Sequence, residues 1–148
     1  DAPAPVPGIE PTAGERWIAL GTVGVPHLIV RVEDIEAVDV LGRGRALRYA
    51  RALGAEGANV NFIAPSSGGP WLIRTYERGV EGETLACGTG TVAAAVALAC
   101  RKEGALPLRF RTRGGPELVV RSQIRGARAS DAWPGGQGKL VFRAVWEA

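Results

Sequence analysis

The sequence predicts a mixed α+β roll. Several short runs of β-branched and aromatic residues are bounded by glycine and proline, which is typical of strands. Two longer segments carry a helical pattern instead. Strands and helices do not alternate regularly along the chain, which argues against a doubly wound parallel sheet.

Composition indicates one ordinary globular domain. The chain has 148 residues, 46% of them hydrophobic and 22% charged, so it can bury a core of its own. The longest apolar run, residues 92–100, is too short to span a bilayer, and no signal-peptide pattern is visible. The net charge of +3 is spread along the chain without a basic run interleaved with aromatics, which disfavours nucleic-acid binding.

The N-terminal segment differs from the rest of the chain. Residues 1–15 are rich in proline and glycine and predict a linker or arm ahead of a domain over residues 16–148. The sequence contains no methionine. We therefore expect the chain to be a piece of a longer polypeptide or a processed product.

The first predicted strands surround the single histidine. Residues 17–21 and 28–32 predict strands, joined by a turn over residues 22–27. His27 thus stands where a turn enters a strand, a place where side chains often face a cleft. Two interpretations stay open: a catalytic imidazole, or a structural histidine satisfied by the backbone.

A helix and a hairpin follow. Residues 44–53 have apolar and arginine positions on opposite faces and predict an amphipathic helix that ends at Gly54. Residues 59–64 and 71–76 predict the two strands of a hairpin. Asn59 and Asn61 are two residues apart in the first of these strands and therefore share a face.

The motif with the most chemical content lies at residues 83–91, ETLACGTGT, followed by the alanine-rich residues 92–100. Alanine favours a helix, and the turn places Cys87 at its mouth. The open N–H groups and the helix dipole there favour an anion, either a bound carboxylate or a thiolate. The alternative is a glycine turn that packs a small-residue helix and leaves the cysteine buried and inert.

The two cysteines of the chain, Cys87 and Cys100, lie about 20 Å apart if one helix connects them, so they cannot form a disulfide with each other. We expect Cys100 to be buried mid-helix. Free thiols indicate a reducing compartment, and we expect a cytoplasmic protein. One histidine and two distant cysteines do not make a metal-ligand set.

The remaining segments complete the predicted sheet. Glu77 and Arg78 end the second hairpin strand just before the Cys87 motif, where they form either part of a polar site or a surface ion pair. Further strands are predicted over residues 107–113, 117–121 and 139–146, with a glycine-rich loop over residues 126–138.

Four blocks of sequence resemble diaminopimelate epimerase in order and spacing. They are GVPH at 24–27, GANVNF at 57–62, TYERG at 75–79 and ETLACGTG at 83–90. A bare CGTG would be shared with proline racemases, whereas the ERG and ETxA elements point to the epimerase. The resemblance covers the C-terminal half of that enzyme, and the first domain with its CGNG-like motif has no counterpart here.

The resemblance implies a domain in which strands wrap around a central helix, and an enzyme of two such domains that each supply one cysteine to a cleft. It implies interconversion of LL- and meso-diaminopimelate, in which this chain supplies one of the two thiols. It also implies that the chain is inactive without the other half of the enzyme. By resemblance the catalytic residues are Cys87, Glu77 and His27, and the substrate contacts are Asn59, Glu77, Arg78, Gly88 and Thr89.

Such chemistry needs an acid and a base on opposite faces of the α-carbon. We expect no cofactor: Lys102 and Lys139 are the only lysines and do not suggest a Schiff-base site for pyridoxal phosphate. The expected partners are the amino-acid substrate and the missing N-terminal domain, with no nucleic acid and no membrane. A homodimer is one of the assemblies that the sequence allows.

One departure from the family pattern keeps alternatives open. Many members have asparagine where this chain has Val25, which cannot make the hydrogen bonds of an amide. The chain is accordingly half of the diaminopimelate enzyme, half of another cofactor-free racemase or isomerase on this fold, or a non-catalytic anion-binding domain.

Overall fold

The computed structural model describes residues 3–125, 128–138 and 143–144. Two α-helices, α1 (Val40–Arg48) and α2 (Gly88–Cys100), and a short 3₁₀ helix, Arg51–Leu53, accompany one mixed sheet. The strands are β1 (Glu15–Val23), β2 (Val25–Val32), β3 (Asn59–Ala64), β4 (Trp71–Glu77), β5 (Gly82–Thr84), β6 (Leu108–Arg111), β7 (Glu117–Arg125) and β8 (Arg128–Gly136).

The sheet runs in the order β1-β2-β3-β4-β6-β7-β8, and β5 pairs with β4 off this path. Two neighbouring pairs, β2/β3 and β4/β6, are parallel, and the others are antiparallel. The two parallel pairs are the places where the chain leaves the sheet, once through α1 and once through α2. The predicted mixed α+β roll is confirmed.

Helix α2 is the centre of the fold. It contacts β1, β2 and β3 on one side and β7 and β8 on the other, so the sheet curls around it. All residues from Gly90 to Leu98 are buried, as expected for a helix that is apolar on every face. Five of these nine positions are glycine or alanine, which lets the strands approach the helix closely.

Helix α1 lies on the opposite face of the sheet, against β3, β4 and β5. The prediction of a helix over residues 44–53 was wrong at both ends, since α1 begins at Val40 and ends at Arg48. The Asp39 side chain accepts a hydrogen bond from Gly42 N at 2.9 Å, and this cap starts the helix at Val40 despite two glycines. Ala50 is extended (φ −58°, ψ 128°) and separates α1 from the 3₁₀ helix, which ends at the predicted Gly54.

The first turn is much tighter than predicted. Instead of a turn over residues 22–27, β1 and β2 pair directly up to Val23 and Val25, and Gly24 (φ +70°) makes the reversal. Glycine adopts this left-handed conformation without a steric penalty. His27 therefore lies inside β2. The predicted hairpin of β3 and β4 is confirmed.

The glycine-rich stretch over residues 126–138 was predicted as a loop, and this was wrong for Arg128–Gly136. That segment forms β8 and pairs antiparallel with β7. An edge strand has one unpaired side, so it tolerates Pro134 and the glycines that follow it. Residues 126–127 lie outside the described part, as do residues 139–142 and 145–146 of the predicted last strand, and residues 143–144 have no regular structure.

The segment before β1 touches the domain at two described points. Ala4 pairs with Leu20 of β1, and the Ile9 side chain is buried in the core beneath α1. No helix in the described part of the chain is long and apolar enough to cross a membrane.

Candidate functional site

Cys87 stands at the N-cap of α2 with an extended backbone (φ −133°, ψ 107°). Its side chain makes no capping bond to the helix, so the half-buried thiol is free to act elsewhere. The hydroxyl of Thr89 lies 3.6 Å from Sγ. The predicted placement of this cysteine at the mouth of the helix is confirmed.

Two contacts hold the segment that leads into Cys87. The Glu83 carboxylate accepts two hydrogen bonds from Arg74 of β4, at 2.7 and 2.9 Å, and these bonds hold the pKa of Glu83 below its usual range. Further along, Gly114 N donates to Leu85 O at 2.9 Å. A bidentate ion pair fixes geometry better than a single contact, so the glutamate of the ETLACGTG motif positions the cysteine loop.

The first backbone bonds of α2 leave an open group of donors. The Thr91 N–H donates to Cys87 O at 3.0 Å, and the Thr91 hydroxyl donates to the same oxygen at 2.8 Å. The N–H groups of Gly88, Thr89 and Gly90 precede this first intrahelical bond and have no partner in the helix. Gly88 and Thr89 are exposed, so an anion can reach these donors from solvent.

Beside the helix mouth, three strands bring polar residues together. His27 on β2 is the register partner of Asn59 on β3, and both side chains are buried. Asn59 Oδ1 accepts a hydrogen bond from Arg78 N, just after β4, at 2.7 Å. Residues that are far apart in sequence thus form a row across the sheet.

His27 is 0% exposed. Burial lowers its pKa to about 4; the backbone of Val23 opposes this shift, and the positive charge of Arg78 adds to it. Among the described residues, His27 Nε2 has no hydrogen-bond partner of normal geometry. The ring is therefore neutral at physiological pH and retains an unused polar atom.

Asn61 was not among the predicted site residues, yet it connects the histidine to the helix. Its Nδ2 lies 3.2 Å from His27 Nδ1 and its Oδ1 accepts from Thr75 Oγ1 at 3.0 Å. A Cβ on Gly90 would collide with Asn61 Oδ1 and lie 3.2 Å from Cys87 Sγ, so the amide and the thiol flank this glycine. A second asparagine on the same face of a buried strand was the sequence signal.

Glu77 and Arg78 do not pair with each other. Arg78 instead forms an ion pair with Glu56, at 2.9 Å between Nη1 and Oε2. Within the described ranges, Glu77 makes no side-chain hydrogen bond or ion pair, with Cys87 or with any other residue. Thr84 of the cysteine motif, opposite Thr75 in the sheet, has a buried hydroxyl without a partner in the described chain.

Cys100 is the last residue of α2 rather than a mid-helix residue, and it is half-buried rather than buried. The prediction of its place was wrong because the helix ends where the apolar run ends, at Cys100, with Arg101 as its C-cap. Thirteen residues of helix put it about 20 Å from the helix mouth. No group of three or more His, Cys, Asp or Glu side chains in the described part could hold a metal ion.

Comparison with known proteins agrees with these features. Residues 20–129 match the sequence profile of a family described as diaminopimelate epimerase. A diaminopimelate epimerase of Gemmatimonas aurantiaca is 44% identical over 140 residues, which cover 89% of this chain and 50% of that protein. That of Aquifex aeolicus is 46% identical over 102 residues, 66% of this chain and 35% of the relative. The chain thus spans about half the length of these relatives, or less.

Two solved structures share the fold. Phenazine biosynthesis proteins of the PhzF family from Enterococcus faecalis and Bacillus anthracis give TM-scores of 0.52 and 0.53 at 20% and 18% identity. They cover 68% and 76% of this chain, which covers 35% and 36% of theirs. At such identity the likeness concerns the fold alone.

Proposed function

The chain belongs to the diaminopimelate epimerase family, and from that premise we propose that it supplies one of the two thiols of a cofactor-independent amino-acid epimerase. The observation that carries the proposal is Cys87 with a free thiol beside the open N–H groups of α2. The substrate would be diaminopimelate, as in the names of the relatives. The protein would act in the cytoplasm.

The open N–H groups would bind the α-carboxylate of the substrate. Negative charge spreads onto this carboxylate as the α-proton leaves, and donors already oriented toward it would stabilise that charge. The donors would be those of Gly88 and Thr89, both exposed at the helix mouth. A bound carboxylate would also bring the α-carbon close to Sγ.

The proton transfers would use two thiols. In one direction the Cys87 thiolate takes the α-proton and becomes a thiol, while a thiol on the opposite face gives its proton to the carbanion and becomes a thiolate. The reverse reaction exchanges their roles. Cys100 lies too far from the helix mouth to serve the second face, so that thiol would come from a second domain.

The other residues predicted for the site would bind or orient the substrate. We propose contacts from Asn59, Glu77 and Arg78, and a role for Glu77 in orienting the Cys87 thiol. Support comes from the position of Glu77 and Arg78 at the end of β4 and from the hydrogen bond that the Asn59 side chain accepts from Arg78 N. Because His27 is completely buried, its assistance to a thiol of the other domain would pass through neighbouring groups or require them to move.

The test is exchange of the α-proton in the full-length polypeptide that joins this chain to its second half. In D₂O, diaminopimelate should gain α-deuterium and epimerise. Cys87→Ala should lower this rate on the order of 10²- to 10⁴-fold or more, the range for a general acid–base group. Cys100→Ala is the matched control and should keep the rate, with a small loss of stability from core packing.

Equal losses of turnover in two well-folded variants would contradict the proposal.

A panel of other amino acids in the same assay tests a second candidate function, that of a racemase with another substrate. The observation that favours this second candidate is Val25, half-buried in β2, because its apolar side chain offers no hydrogen bond to a substrate.

A further inference from the structure

A buried polar cluster that includes His27 lies behind the helix mouth. At its centre is Asn61 of β3, which is 0% exposed. Its Nδ2 lies 3.2 Å from Leu28 O and 3.2 Å from His27 Nδ1, and its Oδ1 accepts from Thr75 Oγ1 at 3.0 Å. The side-chain amide therefore contacts a carbonyl, a hydroxyl and an imidazole at once.

These contacts determine which way the amide points. A backbone carbonyl can only accept, so the group that faces Leu28 O must be the NH₂. The oxygen then faces Thr75, whose hydroxyl can donate to it. A flipped amide would place two acceptors against each other and leave a buried oxygen unsatisfied.

The second N–H of the same NH₂ group faces His27 Nδ1. An N–H donor requires an acceptor opposite it, so Nδ1 must carry a lone pair and no proton. In a neutral imidazole the single proton is then on Nε2. The hydrogen bond also limits rotation of the ring.

We propose that Asn61, oriented by Leu28 O and Thr75, is a positioning residue that keeps His27 as the neutral tautomer with its proton on Nε2. The imidazole would consequently act as a hydrogen-bond donor and not as a proton acceptor. This consequence for catalysis rests on the proposed function, whereas the tautomer itself does not.

The surroundings of the ring agree with a neutral form. Its register partners, Gly21 on β1 and Asn59 on β3, do not titrate. The charged group that acts on it is Arg78, which disfavours a second positive charge. The other titratable groups at this end of the site are Glu77 and Cys87, and within the described chain neither makes a hydrogen bond or ion pair with the ring.

Nitrogen-15 NMR of the imidazole tests the proposal on the 148-residue chain. His27 is the only histidine, so its ring signals need no assignment by mutation. The expected spectrum between pH 5 and 8 shows a protonated Nε2 and an unprotonated Nδ1. A proton on Nδ1, or a near-equal mixture of tautomers, would overturn the proposal.

Substitutions separate positioning from a merely structural role. Asn61→Asp puts a carboxylate against Nδ1 and should move the ring proton there and raise the pKa of His27 by about 1–3 units. Thr75→Val loses the donor to Oδ1 but keeps Leu28 O opposite the NH₂ group, so it is the matched control and should leave the ring signals native. Backbone amide spectra confirm that each variant is folded. Native ring signals in folded Asn61→Asp would refute the role.

The effect on catalysis is measured in the full-length polypeptide. Folded Asn61→Asp should lower kcat for epimerisation more than it raises KM, because it changes the donor and leaves the carboxylate site intact. If a variant whose ring proton has moved to Nδ1 keeps the full kcat, the tautomer of His27 does not matter for catalysis, and that part of the proposal is wrong. If the native polypeptide epimerises no amino acid, the proposed function fails while the NMR result still decides the tautomer.

Discussion

At the scale of the residue, His27 couples the stability of the chain to pH. Its pKa in the folded chain is about 4, against 6.5 for the unperturbed group. Because the folded value is the lower one, the unfolded chain binds the proton more readily between these two values. The stabilisation that comes with a buried neutral ring is complete above pH 6.5 and is lost as the pH falls toward 4.

We therefore predict that the free energy of unfolding falls by up to about 3 kcal/mol between pH 6.5 and pH 4 through this one group. Urea unfolding at a series of pH values measures it, and His27→Gln is the control that lacks the titration. Carboxylates with lowered pKa values, such as Glu83 beside Arg74, are present in both proteins and lose their contribution below about pH 4.5. Parallel pH profiles for the two proteins would show that the ring is not coupled to folding.

At the scale of the element, the start of α2 depends on a close approach between helix and sheet. A Cβ at Gly90 would collide with the Asn61 amide and crowd Cys87 Sγ at 3.2 Å. Asn61 cannot withdraw without breaking its bonds to Leu28 and Thr75. Gly90 is thus required by packing, since its own conformation is helical.

Gly90→Ala should destabilise the chain by about 1–3 kcal/mol, the usual range for overpacking a core. Gly88→Ala is the matched control two residues earlier, because a Cβ there meets nothing within 4 Å. The control should be neutral or stabilising by up to about 1 kcal/mol. Urea unfolding compares both with the native chain, and equal effects of the two substitutions would rule out the packing argument.

At the scale of the whole molecule, the curled sheet presents the mouth of α2 with the half-buried Cys87 thiol beside it. The described chain encloses α2 on several sides but leaves Gly88 and Thr89 exposed. A substrate bound there, as we propose, would have one face toward Cys87 and the other toward solvent. Acid–base chemistry on both faces would need a second set of groups opposite this surface.

The chain alone should therefore show little or no epimerisation of diaminopimelate, and a polypeptide that contains both halves should show it. Chiral chromatography of the product after long incubation provides the measurement, with Cys87→Ala in the two-domain protein as the negative control. Full activity from the purified chain alone would contradict the requirement for a second thiol.

Local patterns in the sequence determined most of the architecture. A glycine turn before a run of alanines determined α2 and placed Cys87 at its mouth, because helix propensity and capping act within a few residues. Runs of β-branched and aromatic residues bounded by glycine and proline likewise determined the hairpin of β3 and β4. The bounds of α1 were less predictable, since a single cap at Asp39 started the helix despite its glycines. The presence of β8 was less predictable as well, since an edge position allowed a strand despite its proline and glycines.

The tertiary structure alone decided the state of the histidine. The sequence marked His27 as either catalytic or structural, and its contact with Asn61 joins residues 34 positions apart. That contact exists because β2 and β3 pair in parallel with His27 opposite Asn59, a register that no local pattern specifies. Burial, the tautomer and the low pKa all follow from this pairing, because each depends on what surrounds the ring in space and not on its neighbours in the chain.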